Sequence, residues 1–322
     1  PADPARLTLG QRGDAATLEA VKKEFGLDNS KGMQLLLYLN DLSPIALLHL
    51  SKENREKYNY RTLINAGGDK GLVIKKPYLR RSYQSRKLVS QLLAEALPNT
   101  LVLAFTAFGI AMVAGLILGV IASLNPGSVL SQGVMVVSLL GVSVPSFFAA
   151  ILLAWFFGFV LSGVTGLPMY GSLYEVDPFE GRYLALENLV LPAIALGIRP
   201  LAIITQLTRS SMLDVLSQDY VRTAVAKGLN PRIVLFRHAL RNALNPVLTA
   251  ASGWLASLLA GAFFVEYVFG WRGLGKITVE ALVASDLPVV MGAVLLVAVI
   301  FVVINLLVDV LYAVLDPRIR LA

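Results

Sequence analysis

Long apolar runs separated by short polar stretches dominate the pattern of this chain. Five of these runs are long enough to cross a bilayer core as a helix, which takes about 20 apolar residues. They lie at 96–123, 129–161, 187–212, 246–268 and 287–313. None of them alternates apolar and polar residues over about 10 positions, as a strand of a membrane barrel would. The pattern therefore predicts an all-α polytopic membrane protein with five visible transmembrane helices.

The first 90 residues have a different pattern, polar with short apolar patches, and are predicted to form an extracytoplasmic region before a transmembrane domain at 91–322. The stretch 31–50 is a helical candidate that is interrupted at Ser43-Pro44. The polar stretch 51–76 predicts a loop. Residues near 43–77 are interpreted as an insertion between two spans.

Composition supports a membrane location. The 322 residues are 56% hydrophobic and 15% charged, against about a quarter charged in soluble domains. No Asp, Glu, Lys or Arg occurs between Glu95 and Glu175. The absence of cysteine excludes disulfides and thiolate metal sites. His49 and His238 are too isolated in the sequence for a metal site, and no nucleophile–base pair is recognisable, so we expect no enzymatic activity and no bound metal.

The distribution of Lys and Arg predicts the orientation. Eight lie at 209–242 and in the C-terminal tail, against three in the loops of the opposite side, which puts the C-terminus in the cytoplasm. Residues 1–90 then lie outside, although they hold sixteen basic residues. We expect a further span before residue 1, which would give six spans. The net charge of +7 is attributed to lipid headgroups and topology rather than to nucleic acid.

Charged residues reappear in a segment at 213–245 that predicts two helices joined by a tight turn. Asp219 suits a helix start, Gly228 a helix end, and Asn230-Pro231 the next helix start. The second helix is predicted to be basic and to end near Asn245-Pro246, with Ile233, Phe236 and Leu240 on one face. Two interpretations stay open: an amphipathic pair on the anionic inner leaflet, or helices that dock into the groove of a partner.

The residues of this segment resemble a known motif. The runs 218–229 and 237–246 are similar to the EAA coupling motif of ABC-importer permeases, and in detail to the dipeptide/oligopeptide/nickel permease family. The resemblance extends to 207–212, 273–275, 305–309 and 316–320, and covers about 78–322 well and 1–40 loosely. One departure is Arg222, which stands where the family usually has Glu.

The resemblance implies a function. Such permeases pair with a homologous permease, dock two ATPase subunits on the EAA helices, and receive cargo from an extracytoplasmic solute-binding protein at the bacterial inner membrane. ATP and Mg²⁺ would then be bound by the ATPase subunits and no cofactor by this chain. The cargo implied is di- or oligopeptides. Nickel or another small solute stays open, and so does a stand-alone secondary transporter.

By the same resemblance, one set of side chains is expected to contact the ATPases, with Ala224 and Gly228 acting through their small size. The set is Tyr220, Arg222, Ala224, Lys227, Gly228, Arg237 and Arg241.

Four further residues or segments are candidates in their own right. Arg199, in mid-span, is interpreted either as lining the translocation path, where it meets a peptide carboxylate, or as pairing with a polar group of a neighbouring helix. The segment 270–277 nearly matches a phosphate-binding loop, but Ile277 lacks a hydroxyl, so a turn is predicted. Glu266 is expected to touch a binding protein or water, and Pro145 to kink its span.

Overall fold

A computed structural model describes residues 28–65, 69–179 and 181–315, together with Glu19 and Lys22. Only the main chain is described at 252, 256, 259–261, 309 and 311–315. The contacts divide the chain into two units. The first comprises Pro1–Glu95 and Glu280–Val294, and the second Ala96–Val279 and Leu295–Ala322.

The first unit contains a small antiparallel sheet, whose strands are ordered β1-β3-β2. Ser30 caps its first helix by accepting a hydrogen bond from the Met33 N–H, as helix starts favour. The elements before residue 80 are, in chain order, α1 Lys31–Leu42, β1 Ile45–His49, α2 Lys52–Tyr58, β2 Arg61–Asn65 and β3 Lys70–Ile74.

This sheet corrects two predictions, the loop at 51–76 and the helix beyond Pro44. Along β1, Ala46 and Leu48 are buried while Ile45 and Leu47 are exposed. The strand therefore alternates in burial although its sequence, Ile-Ala-Leu-Leu-His, does not alternate in polarity. Because the period-2 signal depends on polar residues at the exposed positions, it is missing here. The role of the segment near 43–77 stays unassigned.

A buried carboxylate holds the first unit together. The Tyr58 hydroxyl donates to Asp41 Oδ1 at 2.6 Å and Arg80 Nε donates to Oδ2 at 2.7 Å. Lys75 Nζ donates to the Asp41 carbonyl. Burial, together with the hydrogen bond to Asp41, raises the pKa of Tyr58 above its ordinary value. The carboxylate thus joins the end of α1 to α2 and to Arg80.

The remaining elements are mostly helices. In chain order they are α3 Val89–Leu124, α4 Val129–Ser143, α5 Ser146–Trp155 with π-helical Phe156–Val160, α6 Ser162–Thr165, β4 Tyr174–Asp177, β5 Gly181–Leu184, α7 Glu187–Leu216, α8 Asp219–Ala226, α9 Pro231–Ile233 with π-helical Val234–Leu240, α10 Arg241–Gly261, α11 Phe263–Phe269, α12 Leu274–Val283 and α13 Leu287–Leu315. The chain is therefore mostly helical rather than all-α, since two small sheets are present.

Three helices among the described residues are long and apolar enough to cross a membrane: α3, α7 and α13. A fourth candidate is the pair α4–α5, which bends by 110° where Val144 ends one helix and Pro145 precedes the next. The kink predicted at Pro145 is thus a sharp break. The fourth predicted span, 246–268, corresponds to α10 and α11.

Helix α7 lies at the centre of the second unit and packs against α4, α5 and α10. Small residues make these contacts close: Ala104 and Ala107 of α3 and Ala195 of α7 are buried in one cluster. In a second cluster Ile204 of α7 packs with Val247 of α10. Close packing of small side chains is typical of helices in membranes.

Candidate functional site

The segment that resembles the coupling motif folds into two helices joined by a tight turn; we call residues 219–241 the elbow. Helix α8 ends where Gly228 adopts φ +74°, and the Leu229 N–H donates to the Ala224 carbonyl. The Asn230 side chain accepts from the Arg232 N–H at 2.9 Å, and Pro231 opens the next helix. The predicted helix boundaries at Gly228 and Asn230 are therefore confirmed.

The inner face of the elbow is apolar. Val221, Ala224 and Val234 are 4%, 6% and 5% exposed and pack together with Val215 and Leu216. Ala224 lies between the two helices of the elbow, which explains why a small side chain occupies this position. Its predicted contact with an ATPase stays a prediction, and the geometry shows a packing role within the chain.

Tyr220 ties the two helices of the elbow together. Its hydroxyl accepts from Asn242 Nδ2 at 2.8 Å and donates to the His238 carbonyl at 3.4 Å. The side chain is still 42% exposed. Part of the ring is therefore open to a partner while its polar end is fixed inside the chain.

The outer face of the elbow combines cations with exposed apolar side chains. Arg222, Lys227, Arg237 and Arg241 are all exposed. Arg222 lies 3.7 Å from Asp219, but the side chains are 73% and 98% exposed, so this ion pair contributes little to stability. Among the cations lie four exposed apolar residues: Val225, Leu229, Ile233 and Phe236.

The structure shows which residues of the second helix are buried. Ile233 and Phe236, predicted to share one face with Leu240, are 44% and 60% exposed, while Val234 and Ala239 are buried. The buried pair is five residues apart, which suits the wider turn of the π-helical stretch Val234–Leu240. The side of the helix that carries Ile233 and Phe236 is therefore the exposed one.

The second helix was predicted to end near Asn245-Pro246, and this is wrong. The backbone stays helical from Pro231 through the π-helical stretch and through Pro246 to Gly261. The elbow is therefore continuous with the long helix α10.

Arg199 lies in the middle of α7 and is exposed. Its guanidinium carbon is 6.0 Å from the centre of the Trp254 ring on α10, at the limit of a cation–π contact. No ion pair joins Arg199 to a carboxylate within the described part of the chain. Among the described side chains, the contact of Arg199 with a neighbouring helix is that with Trp254, and pairing with a polar group stays a prediction.

Glu266 was expected to reach water or a binding protein, and this is wrong, because the residue is 0% exposed. The Thr100 hydroxyl donates to its Oε1 at 2.7 Å, and the Gly275 and Lys276 N–H groups donate to Oε2 at 2.7 and 3.2 Å. The Leu274 N–H donates to the Thr100 hydroxyl. We call Thr100, Glu266 and residues 273–275 the Glu266 cluster.

The glycines of this cluster are required by space. A Cβ on Gly275 would lie less than 3.0 Å from the Cα and N of Phe263, and one on Gly273 would meet the Glu266 carboxylate. Trp271 is fully buried beside them and donates from Nε1 to the Asn99 carbonyl at 3.0 Å. Because Gly273 and Gly275 lack a Cβ, the first residues of α12 can lie directly against the Glu266 carboxylate.

The predicted turn is present at 270–273, and residues 274–277 already form the first turn of α12. The N–H groups at the start of α12, which a phosphate-binding loop would offer to phosphate, are occupied by Glu266. The segment has no free helix N-terminus for an anion.

Five side chains among the predicted coupling residues are exposed: Tyr220, Arg222, Lys227, Arg237 and Arg241. Ala224 is buried. Arg199 lies apart, on α7. The sequence analysis named the exposed Ile233 and Phe236 but missed the exposed apolar residues Val225 and Leu229.

Comparison with solved structures identifies the fold as that of an ABC-transporter membrane subunit. The chain matches the methionine ABC transporter MetNI, solved in inward-facing conformations, with a TM-score of 0.57 at 18% identity over 70% of this chain and 97% of that one. Residues 115–321 match the family model described as binding-protein-dependent transport system inner membrane component. The chain belongs to this family of multi-pass inner-membrane proteins.

The relatives with curated names are peptide permeases. The dipeptide transport system permease protein DppB of Alkalihalophilus pseudofirmus is 33% identical over 337 residues, which cover 99% of this chain and 91% of the relative. The di/tripeptide permease DppB of Pseudomonas aeruginosa is 44% identical over 237 residues, 69% of this chain and 70% of the relative. The dipeptide permease DppB of Haemophilus influenzae is 43% identical over 240 residues, with 69% and 71% covered.

Proposed function

We propose that this chain is the transmembrane permease subunit of an ATP-driven importer that moves di- or oligopeptides across the inner membrane. The observation that carries the proposal is the match to a dipeptide permease along 99% of the chain. The predicted alternative cargo, nickel or another small solute, is kept as an outcome of the test below.

The elbow supplies the coupling step. Its exposed apolar residues, among them Phe236, can enter a groove of an ATPase subunit, while Arg222 and Lys227 contact the rim. The ATPase subunits bind ATP and Mg²⁺ and this chain transmits their movement. An elbow lying flat on anionic lipid is the competing interpretation, and co-purification of two ATPase subunits with the chain separates the two.

The remaining partners follow from the same proposal. A homologous permease completes the path, and an extracytoplasmic solute-binding protein delivers the peptide. The elbow and the C-terminus then lie in the cytoplasm, in line with the excess of Lys and Arg at 209–242.

Arg199 is assigned to the translocation path, where its guanidinium meets the carboxylate of a passing peptide. An exposed charge at mid-helix is costly in lipid and by default faces water or a partner. We expect Arg199→Ala to impair uptake of free peptides while the ATPases stay bound. Arg199→Lys, which keeps the charge, serves as the matched control, and wild-type uptake by the alanine variant would contradict the assignment.

Reconstitution tests the whole proposal. The chain is placed in proteoliposomes with its sister permease, ATPases and binding protein, and uptake of a labelled dipeptide, a labelled hexapeptide and ⁶³Ni²⁺ is measured with and without ATP. Peptide uptake that requires ATP is the expected result. Uptake of nickel alone, or uptake by the chain without ATPases, would overturn the proposed function.

A further inference from the structure

Helix α10 has a polar face, formed by Asn245, Thr249, Gly253 and Ser257. The four residues are spaced by four and therefore share one side of the helix, and all four are exposed. The opposite side carries Val247, Ala251 and Leu258, which are 0%, 2% and 3% exposed.

Helix α7 also has a polar face. Arg199, Gln206, Ser210 and Asp214 recur at intervals of seven, four and four, which places them on one side of α7. The two helices run in opposite directions, because Ile204 packs against Val247 whereas Met212 packs against Ala243. Arg199 reaches α10 at Trp254, one position beyond Gly253.

We propose that the polar face of α10 lines the translocation path and binds the main chain of the peptide cargo. The inference rests on the proposed function and deepens it. Asn, Thr and Ser side chains both donate and accept hydrogen bonds. A peptide main chain offers one donor and one acceptor per residue whatever its side chains are.

The chemistry of the face favours this occupant. The four residues carry no charge, so they do not select among the side chains of the cargo. Among the described residues, no atom outside the glycine's own stretch of helix lies within 4 Å of the position that a Cβ on Gly253 would take, so space is open in front of the helix. Arg199 adds one cation at this level, which suits a carboxylate. The Thr249 hydroxyl already donates to the Asn245 carbonyl at 3.1 Å, whereas the Asn245 amide would lose its hydrogen bonds with water if it faced lipid, so lipid is disfavoured there.

The chain offers a direct test, since its 322 residues contain no cysteine. Single cysteines replace Asn245, Thr249, Gly253 and Ser257 in the assembled transporter, and a charged, membrane-impermeant methanethiosulfonate reagent is added. Matched controls replace Val302 and Leu306, exposed residues in the apolar run of α13. We expect the four path positions to react roughly tenfold faster than the controls, because the thiolate forms only where water reaches it.

A second arm tests the recognition of the main chain. Saturating trialanine is expected to slow the labelling, and trialanine with N-methylated peptide bonds to slow it less, because methylation removes the donors. Equal protection by both peptides would overturn main-chain binding. Labelling no faster than at the α13 controls would overturn the lining. So would cross-linking of these cysteines to the partner permease, which would make the face a subunit interface.

These outcomes are distinct from failure of the proposed function. If nickel rather than peptide is transported, the reconstitution assay fails for peptides whereas labelling of the α10 face remains fast. If peptides are transported but the face is unreactive, the proposed function stands and the lining is wrong.

Discussion

The elbow and the Glu266 cluster are built alike and used differently. Each joins two helices through glycine, and each contains residues of the motifs that resemble importer permeases. In the Glu266 cluster the carboxylate is 0% exposed and its hydrogen bonds all stay within the chain. In the elbow, Phe236 and five cations are exposed. Motif residues therefore divide into those that are buried in the fold and those that are exposed, where we propose that a partner binds, and only the geometry separates them.

The largest effect is expected at Gly275. Gly275→Ala places a Cβ against the main chain of Phe263, which has no freedom to withdraw. We expect a loss of about 3 kcal/mol of stability, at the upper end of overpacking effects. The measurement is the thermal unfolding midpoint in detergent.

Gly133→Ala is the matched control, because nothing lies within 4 Å of a Cβ there. If Gly275→Ala and Gly133→Ala had the same thermal unfolding midpoint, the Glu266 cluster would be no more sensitive to an added Cβ than an open position.

A smaller loss is expected at the carboxylate itself. Glu266→Gln keeps the shape of the side chain but turns one acceptor into a donor that faces N–H groups. We expect a cost of about 2 kcal/mol, within the range for a buried polar group left unpaired. Thr100→Val removes one of the same hydrogen bonds, so a double variant should lose less than the sum of the two single variants.

The elbow should behave in the opposite way. Phe236→Ala is expected to leave the unfolding midpoint unchanged and to weaken binding of the ATPase subunits about tenfold, which corresponds to about 1.4 kcal/mol. Binding is measured by titrating purified ATPase onto the permease. The matched control is Phe301→Ala, an exposed phenylalanine of α13. If Phe301→Ala weakens binding equally, the elbow has no special role.

The smallest effect is expected at Gly228, and it separates two explanations for this glycine. The residue has φ +74° and open space around it, so the requirement is conformational and not steric. Gly228→Ala should reduce the stability of the folded chain by about 1 kcal/mol. Gly228→Asn should reduce it less, since Asn tolerates the left-handed region better. ATPase activity coupled to transport is measured for both variants. If Gly228→Asn lowered this activity more than Gly228→Ala, the small size of the glycine would be its explanation.

Much of the second unit could be predicted from the sequence, because apolar runs and helix-boundary residues are local signals. The runs at 96–123, 187–212 and 287–313 fall within α3, α7 and α13. Asn230-Pro231 fixes the start of α9 in the same way. A mostly helical chain with several membrane-spanning helices could therefore be predicted without knowledge of contacts between distant parts of the sequence.

The rest could not be predicted, for reasons that differ from place to place. Strand β1 is apolar on both faces and so carries no alternation. The π-helical stretch at Val234–Leu240 changes which residues are buried without any change in composition. Glu266 is buried through Thr100, 166 residues away in the sequence, and no local pattern reports such a contact.

The unbroken helix from Pro231 to Gly261 has a consequence for how force travels. At about 1.5 Å per residue, its 31 residues form a rod roughly 45 Å long that begins at the elbow and carries the polar face of α10. Because no loop interrupts this helix, a tilt imposed at the elbow is transmitted directly to the far end of α10. The π-helical stretch, with its wider turn, is the one segment of this rod where the backbone departs from α-helical geometry and a flexure can be concentrated.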